Sequence, residues 1–317
     1  MDQDTLLGVG AGVVVAGSGL AAAIRVRDTT AVPAAWWVVV AGVALAAERW
    51  AAAGTDDAAT LACRRLAVVA LAVCPGLALL GAKRPQHGVW QTIVATLAVV
   101  LMAPALTAAL VRPGSLPDVH LLSKALVTAL VLVGWLNHAA TRRGLAAAAI
   151  AMGQLLFARP FLPGGDVASI PDDRWALAGA LLVAAGSATA ALWTACVRPP
   201  RIAPSPVPPS GSAGVATMID PAWRAFRDTF GAAWALRVAE RFDATARDRG
   251  WPCRLGWRGI TVAEPAETAS AGTTAWPREA RRTLVALLRR FVGSAWLTRH
   301  GIGGEGGGAG TRRQRRG

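Results

Sequence analysis

Seven apolar stretches fill the first two thirds of the 317-residue chain, each long enough to cross a bilayer. A crossing needs about 20 mostly apolar residues at a rise of 1.5 Å each. The stretches run approximately over 6–24, 32–52, 66–82, 88–111, 121–140, 144–162 and 175–197. The breaks between them carry charge or proline. Pro75, Pro104 and Pro160 fall inside spans or near their ends, where proline kinks a helix because neighbours satisfy the freed carbonyls. Each is a place for a hinge or for a packing kink.

Composition agrees with a membrane chain and excludes an ordinary soluble enzyme. Mean hydropathy is +0.41, 54% of residues are hydrophobic and 16% are charged. The net charge of +14 is uneven: residues 216–317 hold 18 Arg against 9 acids, and residues 1–215 hold 15 Lys or Arg against 10. Met1-Asp2-Gln3-Asp4 carries acids where a signal peptide has a positive segment, so the first span is expected to stay in the mature protein. Cys63, Cys74, Cys196 and Cys253 are too far apart to form a C-x-x-C zinc or redox pair, and read as small buried hydrophobes.

Orientation follows from the loops that collect Lys and Arg. Odd-numbered spans end at Arg25/Arg27, Lys83/Arg84, Arg142/Arg143 and Arg198/Arg201, whereas the opposite side holds Arg49, Arg64, Arg65, Arg112, Arg159 and Arg174. Nine of the ten acids of this region, Glu48 among them, fall on that opposite side. The expectation is an N-terminus outside and a C-terminus in the cytoplasm, in a multi-pass protein of the cell membrane. It depends on span 144–162 crossing, because losing that span inverts the tail.

Small residues recur at four-residue intervals, as in Gly8-x-x-x-Gly12 and Gly186-x-x-x-Ala190, which lets helix backbones approach closely. Gly8-x-Gly10-x-Gly12 lies in a wholly apolar segment with no preceding strand, so helix packing is favoured over phosphate binding. Lys124, Gln91, Asn137, His138 and Gln154 are the polar residues of the spans, and no acid is expected in mid-span. A proton-coupled transporter or an aspartyl intramembrane protease therefore has little to work with, while a passive pathway or an apolar ligand pocket is still allowed. The last span has no lysine for a retinal Schiff base, and no catalytic, cofactor-binding or metal-ligating set emerges. His87 and His138 match in depth only loosely, which leaves a bis-His haem as a minor reading.

Residues 198–215 are rich in proline and favour extended polyproline conformation as a semi-rigid linker. A small basic domain is expected over 216–300. Its first helix, 220–248, opens with Asp220 as cap and Pro221 at the first turn, and carries an aromatic stripe of Trp223, Phe226, Phe230 and Trp234, continued by Val238 and Phe242. The stripe is either the core of the domain or an interface with the bundle or bilayer. Arg224 with Asp228, and Asp243 with Arg247, are spaced for i,i+4 pairing.

Cys253, Leu255 and Trp257 alternate with polar residues as a half-buried strand does, and a bulge is expected at Gly259, where the phase slips. A second helix is expected from Pro277 to about Leu297. Its apolar side is Leu284, Leu287, Leu288, Phe291, Val292 and Trp296, and Arg278, Arg281, Arg282, Arg289 and Arg290 supply charge for anionic inner-leaflet lipid or for a solvated face. Residues 301–317 form a Gly/Arg tail expected to be disordered.

The sequence thus specifies an all-α polytopic membrane bundle with a small C-terminal cytoplasmic α+β domain. The function it favours is a non-enzymatic, membrane-anchored binding or scaffold protein. The alternative is a transporter or membrane-embedded enzyme handling an apolar ligand. Partners are the bilayer, anionic lipid and a protein not specified by sequence; nucleic acid rests on charge alone, without a recognition module.

Overall fold

The computed structural model describes residues 2–54, 57–83, 87–172, 174–196, 212–263 and 276–303. Residues 198–211 of the proline-rich linker and residues 304–317 of the tail lie outside them. The chain divides into two compact units, Met1–Val197 and Arg198–Gly317.

Among the described residues the first unit is a bundle of eight α-helices: α1 (Gln3–Arg25), α2 (Val32–Ala52), α3 (Ala58–Ala72), α4 (Cys74–Leu80), α5 (His87–Leu110), α6 (Leu121–Ala139), α7 (Gly144–Ala158) and α8 (Trp175–Cys196). Taken with the α3–α4 pair as one broken crossing, they supply seven segments long and apolar enough to span a membrane. Asp2 caps α1 by accepting the Thr5 N–H, and Asp57 caps α3 by accepting those of Ala59 and Thr60. The hydrogen bonds from Thr60 hold the Asp57 carboxyl below the usual carboxylate range.

Helix proximity comes from missing side chains. A Cβ on Gly12 of α1 would lie 2.5 Å from the Ala46 backbone N of α2, and one on Gly19 would lie 2.8 Å from that of Val39. On the other side of the bundle a Cβ on Gly153 of α7 would meet the Gly179 carbonyl of α8 at 2.6 Å, and one on Gly186 would meet the Ala146 carbonyl at 2.7 Å. Lipid tails are as apolar as leucine, so such close backbone contact, rather than expulsion of water, holds membrane helices together. Gly10, two residues from Gly12 and so on the opposite face of the helix, meets nothing within 4 Å.

The three span prolines behave differently. Pro75 sits in the first turn of α4, and the helix is interrupted at Val73. Pro160 lies in the 3-10 turn Arg159–Phe161 that ends α7, while Pro104 is carried inside α5 without ending it. The third crossing also begins earlier than expected. Asp57 starts it at Ala58 rather than residue 66, which takes Arg64 and Arg65 off the loop and onto the helix.

The second unit contains α9 (Ser212–Asp248), a hairpin of β1 (Cys253–Gly256) and β2 (Gly259–Val262), α10 (Trp276–Leu288) and α11 (Ser294–Arg299). The helical run of α9 begins at Ser212, inside the stretch read as linker. It is broken at Gly231, whose φ of 77° and ψ of −170° suit glycine. The expected bulge is instead a two-residue turn, Trp257-Arg258, that pairs Gly256 with Gly259. The expected helix to Leu297 stops at Leu288, and Phe291 and Val292 occupy the turn before α11.

Aromatic rings fill this unit. Trp223, Phe226, Phe230 and Phe242 are fully buried, and Trp234 nearly so. Phe291 meets Phe226, Phe230 and Trp234 edge-on at centroid distances of 5.2, 5.4 and 5.0 Å. Such pairs add about 0.5–1.5 kcal/mol each beyond burial of area.

The expected helical ion pairs rearrange. Arg224 bonds Asp220 at 2.8 Å, Asp228 accepts from Arg227, and the Asp243 carboxylate accepts the Leu255 N–H at 2.7 Å. Asp220 also accepts the Ile260 N–H at 2.9 Å, so its carboxylate ties helix to hairpin instead of capping the helix. The hairpin offers unpaired N–H groups close by, and a carboxylate stabilises them more than it does a neighbouring guanidinium in water.

Candidate functional site

The interior of the bundle holds an acid where none was expected. Glu48, one turn before the end of α2, is 3% exposed and takes an Arg65 Nε–H bond at 3.3 Å. Arg65 is the eighth residue of α3, about 10 Å along the helix from its start at 1.5 Å per residue. Its guanidinium also lies 5.5 Å from the centroid of the Phe157 ring of α7. Glu48 Oε2 is buried without a hydrogen-bond partner, as is Arg49 Nε, whose side chain lies over Gly8 of α1.

Two charges removed from water cost several kcal/mol each before attraction is counted. A buried pair of this kind in a helical bundle is a candidate functional position.

One to two helical turns further in, Ala41 and Leu45 continue the Glu48 stripe of α2, and Val68, Val69 and Ala72 continue the Arg65 stripe of α3. These residues help to wall a cavity of about 40 Å³. Val127 and Val131 of α6, Phe157 and Gln154 of α7, and Ala180 of α8 complete much of the wall. Phe157 is shared between the cavity and the ion pair.

Gln154 Nε2 donates to the Ala72 carbonyl at 2.7 Å. That carbonyl ends α3 at the helix break, so a side chain from α7 supplies the donor there. Because a carbonyl can only accept, the bond also fixes which way the amide faces.

The other polar residues of the spans are spread out. Trp37 of α2 donates to Gln91 Oε1 at 3.1 Å, leaving Gln91 Nε2 buried and unpartnered. Lys124 Nζ reaches the Gly165 carbonyl at 3.4 Å, at the end of its span. Asn137 is buried, and the neighbouring His138 Nδ1 is buried without a partner. His120 caps α6 by accepting the Leu122 N–H. The side chains of His87 and Cys196 lie outside the described residues. Cys63, Cys74 and Cys253 are free, and in the second unit burial pushes the Cys253 thiol up to about 11.

In the second unit the arginines and the aromatics separate. Arg278, Arg282, Arg289 and Arg290 are exposed and Arg281 is half-buried, while Ala280, Leu284 and Leu288 of α10 are buried. Arg227 was not singled out by sequence. It is 6% exposed, donates to the Trp257 carbonyl at 2.7 Å and lies 5.1 Å from the Trp257 ring centroid, which locks the hairpin turn to α9.

Comparison with protein-family models, with curated proteins and with solved structures found no match for this chain. The class of protein is therefore set by the fold: a multi-pass helical membrane protein with a small mixed appendage.

Proposed function

We propose that the protein is a non-enzymatic, membrane-anchored binding or scaffold protein of the cell membrane, with its N-terminus outside and its C-terminal unit in the cytoplasm. The observation that carries this reading is the glycine-mediated contact of α1 with α2 and of α7 with α8, where a single added Cβ would meet the neighbouring backbone. Packed helices of this kind make a rigid anchor. Loop charge supports the orientation: with Arg64 and Arg65 on α3, the outer side keeps four of the six Arg first assigned to it, against eight Lys or Arg on the other.

The cytoplasmic unit in this reading meets anionic inner-leaflet lipid through Arg278, Arg281, Arg282, Arg289 and Arg290. Since Leu284 and Leu288 face its own core, attachment is electrostatic and superficial, about 1 kcal/mol per Arg, screened over about 8 Å at physiological salt. It holds a protein partner against the membrane.

The competing reading is a transporter or membrane-embedded enzyme handling an apolar ligand. The apolar cavity beside the α3–α4 break favours it, but a volume of about 40 Å³ is far below that of substrate sites.

Spin labels on the lipid-facing ends of α1 and α6, in the reconstituted full chain, separate the two. The scaffold reading expects one narrow distance distribution. Two interconverting distributions would overturn it in favour of alternating access.

A further inference from the structure

We propose that the cavity walled by Leu45, Val68, Val69, Val131, Phe157 and Ala180 is a binding site for an apolar molecule of one or two heavy atoms, of the dioxygen type. The proposal does not depend on the scaffold reading, since a rigid anchor and a conformationally active protein can both hold such a site.

Its first support is chemical. Apart from the edge contributed by Gln154 the wall is aliphatic or aromatic. A buried water needs two to four polar partners. The Nε2 donor of the one amide at hand is already committed to the Ala72 carbonyl at 2.7 Å, which leaves its oxygen as the one side-chain acceptor, short of the two partners a water needs. Cavities of this character stay dry and accept apolar guests.

Size is the second support. An apolar cavity of about 150 Å³ holds benzene, with its six heavy atoms. A cavity of about 40 Å³ is roughly a quarter of that, enough for one or two heavy atoms.

The third support is that the wall is held open. Collapse needs the surrounding helices to move inward, but α1–α2 and α7–α8 are already at backbone contact through Gly12, Gly153 and Gly179. Gln154 pins α7 to the end of α3, and the Arg65 guanidinium 5.5 Å away holds the Phe157 ring in place. A framed void keeps its volume, because the lining atoms have no lower-energy position to relax into. Supply is intrinsic to the setting, since apolar solutes leave water for hydrocarbon and reach the bundle through the bilayer.

The test uses xenon as the probe on crystals of the full chain. The expected result is a xenon site bounded by Val69, Val131 and Phe157 in the unmodified protein. It disappears in the double variant Val127→Ile, Val131→Ile, which adds one methylene at each of two wall positions one turn apart on α6. Ala180→Val fills the same space from α8 and serves should the α6 pair disturb folding. Val68→Ala, which enlarges the space, raises xenon occupancy. The proposal is overturned if the unmodified protein shows no xenon there, if ordered water occupies the cavity, or if xenon persists undiminished in a folded filled variant.

Discussion

The two units of this protein are packed by opposite rules. In the bundle the closest helix contacts are made by small residues, such as Gly12, Ala46, Gly153 and Gly179, and many large apolar side chains, including Val13, Ile24, Trp36 and Leu145, point outward. In the C-terminal unit large rings lie inside and arginines outside. Four of the six phenylalanines of the chain, Phe226, Phe230, Phe242 and Phe291, form its core. The contrast follows from the solvent of each unit. In hydrocarbon, burying a leucine gains little, so helices associate by backbone proximity and dispersion. In water, each buried ring contributes through area removed from solvent.

Exchanging the rules should break each unit in its own way. The largest effect is expected from Gly12→Leu, because even its Cβ would stand 2.5 Å from the Ala46 backbone. Overpacking costs about 1–3 kcal/mol or more, and here should abolish monodisperse protein in detergent chromatography. Gly10→Leu, on the same helix with nothing within 4 Å, should leave the profile unchanged. Equal loss from both would remove the packing argument.

In the other unit Phe291→Ala should cost about 3–5 kcal/mol, more than any single substitution among the exposed arginines, as read by the melting of that unit. Its ring touches three others, so a small shift would mean that the stripe is not the core.

The ion pair tests the boundary between the rules. Arg65→Met alone strands the Glu48 carboxylate and should destabilise the bundle by about 3–5 kcal/mol, whereas Arg65→Met with Glu48→Leu should restore it or better. A double variant as unstable as the single would show that the two residues do not act as a pair.

The smallest effect concerns pH. Burial, assisted by the Arg299 charge and opposed by the hydrogen bond to the Trp296 carbonyl, lowers the His300 pKa below its ordinary value of 6.5. The folded unit therefore resists taking up a proton that the unfolded chain accepts. Stability is full above about pH 6.5 and declines below it until the lowered folded pKa is passed. His300→Gln should flatten that decline in melts compared at about pH 7.5 and 5.5.

Much of this was legible in sequence, because the dominant signals are local. Seven runs of apolar residues predict seven crossings, and the spacing of Trp223, Phe226 and Phe230 predicts a helix. What sequence left open depends on pairing across elements. Glu48 read as an acid at the outer end of span 32–52 because Arg65, its partner, is 17 residues away and was itself placed in a loop. The Asp57 cap that starts α3 at Ala58 is the signal that could have corrected this. Asp220 looked like a helix cap because its partner, the Ile260 N–H, is 40 residues distant. The cavity has no sequence signature, since its wall draws on α1, α2, α3, α6, α7 and α8.

The most direct test of the anchored-scaffold account is the sidedness of two positions in the full chain. Reporters that work only in the cytoplasm or only outside, inserted after Gly54 and after Val197, should place residue 54 outside and residue 197 in the cytoplasm. Both positions on the same side would contradict the seven-crossing topology, and residue 197 outside would remove the inner leaflet as the surface that the C-terminal arginines meet.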